Sequence, residues 1–274
     1  MKTKKQFGQH WLRNEQVLDK IIRAAQIKDV DRILEIGPGT GILTRKLIPA
    51  AAAVVAVEID RDLSALLVKK LGNIDNFLLL EHDFLTLDLN SVLTQFPKFQ
   101  NANKVVANIP YNITGPILEK LLGNILHPAE QPFESIVLLV QREVAERLYA
   151  KPSTKAFGAL SIRVQYLAHC ELICPVPARD FSPPPKVDSA VVRLTPRKLE
   201  LTANSPKVLD NLVRLGFSAR RKMLRNNLQS AIDRDELSEL LISQNINIDT
   251  RAEDLSLTQW IQLSNLVNDR STQT

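Results

Sequence analysis

The sequence predicts an α/β protein built on a doubly wound, mostly parallel sheet of seven strands, followed by a small all-helical domain. Through roughly the first 150 residues, short apolar runs alternate with helical stripes, an order typical of βα units. Two further strand-like runs follow with no helix between them, which favours an antiparallel edge on the sheet. After Pro196 the pattern is helical throughout, so we place a domain boundary near residue 200, between residues 1–199 and residues 200–274.

The predicted elements follow one another in that order along the chain. A first helix begins after Asn14, a suitable N-cap, and carries an apolar stripe to Ala25. The predicted strands are short and apolar, and they cover Arg32–Ile36, Ala53–Ile59, Phe77–Leu80, Lys104–Ala107, Ser135–Val140, about Tyr166–Ile173 and Val187–Leu194. The helices predicted among them are Ile42–Ile48, Asp62–Leu71, Ile117–Leu126 and Arg142–Tyr149.

The composition is that of a globular protein, since 45% of the residues are hydrophobic and 24% are charged. The longest apolar run, Leu47 to Val57, contains Pro49 and is too short to span a bilayer, and no signal-peptide pattern opens the chain. Cys170 and Cys174 are expected to be reduced core thiols, because residues four apart on one strand are separated by roughly 13 Å. We therefore expect a cytoplasmic protein that binds neither membrane nor metal.

The net charge of +5 indicates a polyanionic partner, and its distribution is more informative than its size. One group of cations opens the chain and comprises Lys2, Lys4, Lys5 and Arg13. A second group lies in a stretch free of acids and comprises Arg214, Arg220, Arg221, Lys222 and Arg225. Either group alone is as compatible with a solvated face as with nucleic acid, but the two together favour nucleic-acid contact.

Polar and glycine residues follow the first two predicted strands at their carboxyl ends. The first strand runs into a Gly-x-Gly-x-Gly turn, in which Gly37 and Gly39 let a ligand approach the backbone and the helix N-terminus. The second strand ends near Glu58, where an acid accepts hydrogen bonds from ribose hydroxyls in nucleotide-binding folds. We interpret the neighbouring Asp60 as a solvated carboxylate at the strand end.

The fourth strand runs into Asn108-Ile109-Pro110-Tyr111, and these residue types predict a binding site for a planar base that carries an exocyclic amine. The Asn108 side-chain oxygen and the Pro110 carbonyl can both accept from the amine, and the Tyr111 ring can stack on the base. Two acceptors outside the plane of the ring favour the pyramidal amine that attacks as a nucleophile. An ordinary β-turn is the competing interpretation of these four residues.

Together these motifs resemble S-adenosylmethionine-dependent methyltransferases of the Rossmann-like class I fold, and Asn-Ile-Pro-Tyr narrows the resemblance to enzymes that act on exocyclic amines. Two more segments narrow it further: Gln-Phe-Gly-Gln-His-Trp-Leu at residues 6–12, and Phe-Ser-Pro-Pro-Pro-Lys-Val-Asp-Ser-Ala-Val-Val at residues 181–192. With them, the chain resembles the bacterial small-subunit ribosomal RNA adenine dimethyltransferases, whose loss gives kasugamycin resistance. The resemblance extends over nearly the whole chain.

The resemblance implies which residues hold the methyl donor, S-adenosyl-L-methionine. That family uses the N-terminal arm, the glycine turn, the acid of the second strand, the Asp after the third strand, and the Asn of the fourth motif. The matching positions are His10, Leu12, Gly37, Glu58, Asp83 and Asn108, and from the residues themselves we also expect Gly39 of the turn and the Phe84 ring to contact the donor. The arm usually reads Gln-Asn-Phe-Leu, whereas here His10 and Trp11 replace Asn and Phe. His10 can still hydrogen-bond, and Trp11 keeps the aromatic bulk.

The resemblance also implies the reaction, which is dimethylation of the N6 amines of two adjacent adenosines in the 3′-terminal hairpin loop of small-subunit rRNA. The substrate is expected to be a 30S assembly intermediate, and the protein is expected to be a monomer. Asn108 and Pro110 would polarise the amine, while Tyr111 and Phe181 would enclose the base. We expect Phe181 in an exposed loop because three prolines follow it closely.

RNA docking is assigned to a basic C-terminal helix around Arg220–Arg225, specifically to Arg220, Arg221, Lys222 and Arg225. Two alternatives stay open. The first is a large-subunit rRNA adenine dimethyltransferase that confers macrolide resistance, which shares the fourth motif. The second is a non-catalytic ribosome-assembly or transcription factor built on the same fold.

Overall fold

The computed structural model describes residues 9–271 of the chain. Lys2, Lys4 and Lys5, which belong to the predicted N-terminal basic group, lie outside the described residues. The strands are β1 Trp11–Leu12, β2 Arg32–Ile36, β3 Ala53–Glu58, β4 Phe77–Glu81, β5 Lys104–Asn108, β6 Ser135–Gln141, β7 Ala168–Val176, β8 Phe181–Ser182 and β9 Ser189–Pro196.

The α-helices are α1 Glu15–Ala25, α2 Thr44–Leu47, α3 Arg61–Leu71, α4 Leu89–Leu93, α5 Thr114–Leu122, α6 Arg142–Leu148, α7 Ala159–Leu167, α8 Pro206–Gly216, α9 Leu224–Asn227, α10 Arg234–Ser243 and α11 Leu257–Ser271. Single 3₁₀ turns cover Ile48–Ala50, Pro97–Phe99, Tyr111–Ile113, Ala178–Asp180 and Ala252–Asp254. The predicted N-cap is confirmed, because the Asn14 side chain accepts from the backbone N–H groups of Gln16 and Val17.

Seven strands form one sheet in the order β4-β3-β2-β5-β6-β9-β7. The pairs from β4 to β6 are parallel, and β9 lies antiparallel to β6. This confirms the predicted doubly wound sheet with an antiparallel edge. The strands β2, β3, β5 and β6 are almost entirely buried, as expected for parallel strands covered on both faces.

The chain order along this sheet reverses between β2 and β5. From β2 the chain moves outward to β3 and β4, and then crosses to β5 on the other side of β2. In open α/β sheets the crevice for a ligand lies at the carboxyl ends of the strands beside such a reversal.

Four helices of the first 200 residues differ from the predictions, since α4 was not predicted and α5 covers Thr114–Leu122 instead of Ile117–Leu126. The helix predicted over Ile42–Ile48 is only one turn long, Thr44–Leu47, and continues as a 3₁₀ turn that contains Pro49. Helix α7 was not predicted, and the strand expected from Tyr166 begins only at Ala168. The buried residues of α7 include β-branched Ile162 and Val164, which favour strands in sequence and hide the helical pattern.

The chain divides into two compact units. Within residues 9–271, the sheet unit comprises residues 9–121, 130–145 and 169–196, and the helical unit comprises residues 122–129, 146–168 and 197–271. This division differs from the single boundary predicted near residue 200, because two earlier segments belong to the helical unit. Those segments contribute Ile125, Phe157 and Ile162 to its core, which is built around the fully buried Trp260.

Candidate functional site

Four predicted motifs meet at the carboxyl edge of neighbouring strands in the sheet unit. Gly37 follows β2, Glu58 ends β3, Asp83 lies just beyond β4, and Asn108 ends β5. These four strands are consecutive in the sheet, so residues separated by more than 70 positions in sequence become neighbours. The edge contains cavities of about 270 Å³ and about 60 Å³, and Gly37 and Glu58 line both.

The glycine turn needs glycine for both conformation and space. Gly37 and Gly39 have φ angles of +66° and +59°, in the left-handed region that side chains disfavour. A Cβ atom on Gly39 would lie 3.3 Å from the ring of Trp11, which packs directly over the turn. The N-terminal arm therefore closes against the glycine turn, and a side chain at residue 39 would disturb both.

Glu58 is buried and organises the turn. Its Oε2 accepts from the backbone N–H of Gly39 at 3.0 Å, and its Oε1 accepts from that of Asp60 at 2.9 Å. Burial raises the pKa of Glu58, and those two hydrogen bonds act against the rise. Each carboxylate oxygen has a second lone pair, so the group can still accept from a ligand.

The interpretation of Asp60 as a solvated carboxylate is wrong. Asp60 is only 3% exposed, and its Oδ1 caps helix α3 by accepting from the N–H of Asp62 at 3.0 Å. Its Oδ2 accepts from the side chain of Gln9 at 2.8 Å. The N-terminal arm therefore covers this carboxylate, and the sequence around Asp60 carries no sign of that distant partner.

Glu35 is a second buried acid in this region. It is 1% exposed, and within residues 9–271 its Oε2 has no hydrogen-bond partner. Burial raises the pKa of Glu35 to about 8, and the nearby charge of Glu58 adds to the rise. The group lines a small cavity with Leu12, Trp11 and the glycine turn. Burial therefore favours the protonated form of this carboxyl group.

The larger cavity lies at the ends of β2, β3 and β4, beside the turn that follows β5. It is lined by Asp83 and Phe84, which the sequence analysis assigned to the methyl donor, and also by Ile59 and Asn112. Phe84 is 6% exposed, so its ring is held within the wall of the cavity. Asp83 also shapes its own turn, because its Oδ1 accepts from the N–H of Leu85 at 2.9 Å.

The Asn108–Tyr111 segment turns from β5 into α5. The Asn108 side-chain NH₂ donates to the backbone carbonyl of His10 at 3.3 Å, and within residues 9–271 no group donates to its Oδ1. The Pro110 carbonyl is directed into the turn, where it accepts from the N–H of Ile113 at 3.4 Å. Asn108 therefore offers an available acceptor, whereas Pro110 shares its carbonyl with the backbone.

Tyr111 is held at both its hydroxyl and its ring. Its hydroxyl lies 2.5 Å from that of Ser189, and burial raises its pKa. Its ring stacks on that of His10, with centroids 5.9 Å apart and planes inclined by 19°. The Nδ1–H of His10 donates to the carbonyl of Pro183 at 2.8 Å. His10 is therefore placed by its ring as well as by hydrogen bonds.

The expectation that Phe181 lies in an exposed loop is wrong. Phe181 is 3% exposed and belongs to the core of the sheet unit. It lies in strand β8, which pairs antiparallel with β1, so that Leu12 faces Phe181 and Trp11 faces Ser182. This pairing buries the ring beside the equally buried Leu12, despite the prolines that follow in the sequence.

The four cations assigned to RNA docking all lie in the helical unit. Two of them form ion pairs, and the other two are exposed. Arg220 pairs with Glu253 at 2.8 Å and also donates to the carbonyl of Lys155, and Arg225 pairs with Asp249 at 2.8 Å. Arg221 and Lys222 are exposed. The expected basic helix is also wrong, because residues 217–223 form turns and only residues 224–227 are helical.

Sequence reasoning missed several residues that shape this region. Gln9 binds Asp60, Leu63 lines the smaller cavity, and Ile59 lines the larger one. Leu63 and Ile59 are placed by the topology of the sheet. Because both lie close to Glu58 in the sequence, their place in the cavity walls could have been predicted. Gln9 gave none, because its partner lies 51 positions away.

Within the described part of the chain, no group of three or more His, Cys, Asp and Glu residues could hold a metal ion. Over the same residues, 9–271, the helices are all too short or too polar to cross a membrane. Cys170 and Cys174, both on β7, form no disulfide bond within the described residues.

The fold and the site define a class of protein. Counted along the chain, the strands of the large sheet run 3-2-1-4-5-7-6 with the seventh antiparallel, and a glycine turn and an acid adjoin the reversal point. This is the Rossmann-like methyltransferase architecture that the sequence predicted.

Comparison with known proteins identifies the family. Residues 1–269 match the ribosomal RNA adenine dimethylase family, and the chain belongs to it. The predicted enzyme class, an S-adenosylmethionine-dependent rRNA adenine dimethyltransferase, is thereby confirmed.

Individual relatives agree with this assignment. Ribosomal RNA small subunit methyltransferase A of Nostoc sp. is 66% identical over 97% of this chain and 98% of its own, and that of Synechocystis sp. is 56% identical over 97% and 96%. The crystal structure of a dimethyladenosine transferase from Plasmodium falciparum has a TM-score of 0.80 at 29% identity, covering 96% of this chain and 98% of its own. That of 23S rRNA methyltransferase ErmE has a TM-score of 0.74 at 26% identity, covering 94% and 99%.

Proposed function

We propose that this enzyme transfers methyl groups from S-adenosylmethionine to the N6 amines of two adjacent adenosines in the 3′-terminal hairpin loop of small-subunit rRNA. The observation that carries the proposal is the available Asn108 oxygen at the carboxyl end of β5, beside the aromatic ring of Tyr111. The small-subunit target is supported by relatives that are 56–66% identical over almost the entire chain and carry that name.

The residues at the sheet edge fit the methyl donor. Gly37 and Gly39 leave space that a side chain would fill, and Glu58 offers carboxylate lone pairs to ribose hydroxyls. The cavity lined by Asp83 and Phe84 is mainly apolar and contains two acids, Asp83 and Glu58, which suits an adenine ring and its amine beside the ribose hydroxyls. His10 and Leu12 contribute the covering arm. When bound, the donor supplies an electrophilic sulfonium methyl group, and this is the chemistry that the protein itself lacks.

The protein's own contribution is alignment and polarisation of the adenine amine. The Asn108 oxygen accepts a hydrogen bond from N6 and favours the pyramidal amine whose lone pair is free to attack. Because Pro110 shares its carbonyl with the turn, we place the larger share of this effect on Asn108. Tyr111 provides the stacking surface, and a base must leave its RNA stack to reach it. With Phe181 in the core, we assign it to holding β8 against the arm.

Arg221 and Lys222 are proposed to contact rRNA phosphates, because both are exposed in the turns before α9. Arg220 and Arg225 are proposed to support those turns through their ion pairs. A monomeric enzyme acting on a 30S assembly intermediate in the cytoplasm stays a prediction.

The test is methyl transfer from labelled S-adenosylmethionine to under-methylated small subunits, followed by nucleoside analysis, with large subunits in parallel. We expect N6,N6-dimethyladenosine at two adjacent positions of the small-subunit rRNA alone. Label in large-subunit rRNA would support the macrolide-resistance alternative, and binding of subunits without transfer would support a non-catalytic assembly factor.

A further inference from the structure

We propose that Lys120 is a positioning residue that fixes the loop carrying Asp83 and Phe84 and so sets the affinity for the donor's adenine ring. The proposal rests on the proposed function, because it assumes that the larger cavity receives that ring. Lys120 belongs to α5 and is not among the residues that line the cavity.

Within residues 9–271, the Lys120 ammonium group makes its hydrogen bonds and its ring contact with one loop, residues 82–88. Nζ donates to the carbonyl of Leu87 at 2.6 Å and to that of Leu85 at 3.1 Å. The same atom lies 5.0 Å from the centroid of the Phe84 ring, a cation–π arrangement. One side chain therefore holds two backbone carbonyls and the aromatic ring of the cavity wall.

The loop has little regular structure of its own. Residues 82–88 contain no regular element beyond a turn, in which the N–H groups of Thr86 and Leu87 donate to the carbonyl of Asp83. Burial lowers the pKa of Lys120, and the charges of Asp83 and Asp88 act against that fall. Electrostatic attraction and hydrogen bonds therefore both hold the ammonium group at this loop.

Lys120 also joins the loop to the segment that carries the acceptor residues. Helix α5 begins at Thr114, whose hydroxyl donates to the carbonyl of Tyr111 at 3.2 Å. The helix is a rigid connection from the Asn108–Tyr111 turn to Lys120, and Lys120 connects it to the Asp83 loop. Lys120 therefore ties the Asp83 loop to the helix that begins at the acceptor turn.

The closing experiment compares Lys120→Met, which keeps the aliphatic stem, with Lys120→Arg, which keeps the charge and two donors. Calorimetry with S-adenosylhomocysteine and with methylthioadenosine reports donor-site affinity, and methylation of small subunits gives KM for the donor and kcat separately. Lys70→Met, an exposed lysine of α3, is the matched control.

We expect Lys120→Met to weaken both ligands equally, by roughly 5- to 30-fold, because each lost hydrogen bond contributes on the order of a few-fold to tenfold in affinity. KM for the donor should rise by a similar factor while kcat changes less than twofold. Lys120→Arg should recover most of the affinity, and the control should match the wild type.

Three outcomes would overturn the proposal: affinities of Lys120→Met within twofold of the wild type, a loss for S-adenosylhomocysteine but not for methylthioadenosine, or a fall in kcat alone. Thermal unfolding of each variant identifies a folding defect, and in that case Lys120→Gln, which keeps one donor group, must show an intermediate loss of affinity. A wild-type enzyme that binds neither ligand would instead contradict the proposed function.

Discussion

The sheet unit and the helical unit differ in what their predicted functional side chains do. In the sheet unit, Glu58 and Asn108 lie where their strands end and line cavities. In the helical unit, Arg220 and Arg225 are bound to acids of the same unit, while Arg221 and Lys222 are exposed. A motif at a strand end is placed by topology, whereas the role of a cation in a charge cluster depends on partners that sequence does not show.

The largest effect is expected from Asn108→Ala, which tests whether a side chain at a strand end of the sheet unit acts on the substrate. We expect turnover to fall by roughly 10²- to 10³-fold, as when one acceptor or donor aimed at the transition state is removed. RNA affinity should change little, and donor affinity should weaken somewhat. Single-turnover methylation with saturating donor measures the effect, and Asn90→Ala, an exposed Asn of α4, is the matched control. Near-normal turnover would remove Asn108 from the proposed mechanism.

Glu58→Ala should weaken donor binding by about 1–3 kcal/mol, because the ribose hydroxyls lose their acceptor and the Gly39 amide loses its partner. Calorimetry with S-adenosylhomocysteine checks this. Glu81→Ala is the control, since Glu81 pairs with Glu58 in register on the neighbouring strand and is exposed. Unchanged affinity in Glu58→Ala would mean that the acid serves only the glycine turn.

In the helical unit, the exposed cations and the ion-paired cations are expected to have different roles, and variants of each kind test this difference. Replacing Arg221 and Lys222 with Ala should lower the log–log salt slope of small-subunit binding by roughly 0.7–0.9 for each lost phosphate contact. Arg225→Ala should leave the slope unchanged and lower thermal stability, because Asp249 loses its partner. Filter binding across salt concentrations measures both variants. If Arg225→Ala changes the slope and the double variant does not, the assignment is reversed.

Glu35 is expected to change neither binding nor rate but to give the sheet unit a pH dependence of stability. In the unfolded chain its proton leaves near pH 4.5, whereas the folded protein keeps it until about pH 8. Unfolding therefore releases a proton between these values, and the free energy of unfolding should fall as pH rises, by up to ~1.4 kcal/mol per pH unit. Glu35→Gln should flatten this slope in denaturant titrations, and Glu81→Gln should not. Parallel slopes for the wild type and Glu35→Gln would contradict the assignment.

Much of the sheet and its edge could be predicted because periodicity and strand-end chemistry are local signals. Strand β2 was predicted to the residue, and the positions of Gly37, Glu58, Asp83 and Asn108 followed from the order of the strands. The predictions failed where a partner is distant in sequence. Asp60 is buried by Gln9, and Phe181 is buried by its pairing with the N-terminal arm.

The helical unit was less predictable for a related reason. Its basic stretch contains no acids in the sequence, yet Arg220 and Arg225 form ion pairs with Glu253 and Asp249, which lie beyond that stretch. The fully buried Trp260 leaves no room for a Cβ atom on Gly216, which sequence alone does not reveal. Residues 122–129 and 146–168 join this unit because of packing that no boundary signal marks.

The pairing of β1 with β8 has a consequence for the order of events during synthesis. Leu12 is made early, but its partner Phe181 follows 169 positions later. At about 5–20 residues per second, the ribosome needs roughly 10 to 35 seconds to supply it. Until then the glycine turn can form with β2 and β3, while the arm that covers it has no strand to join. The binding edge is thus translated early and enclosed late, by a segment close to the end of the sheet unit.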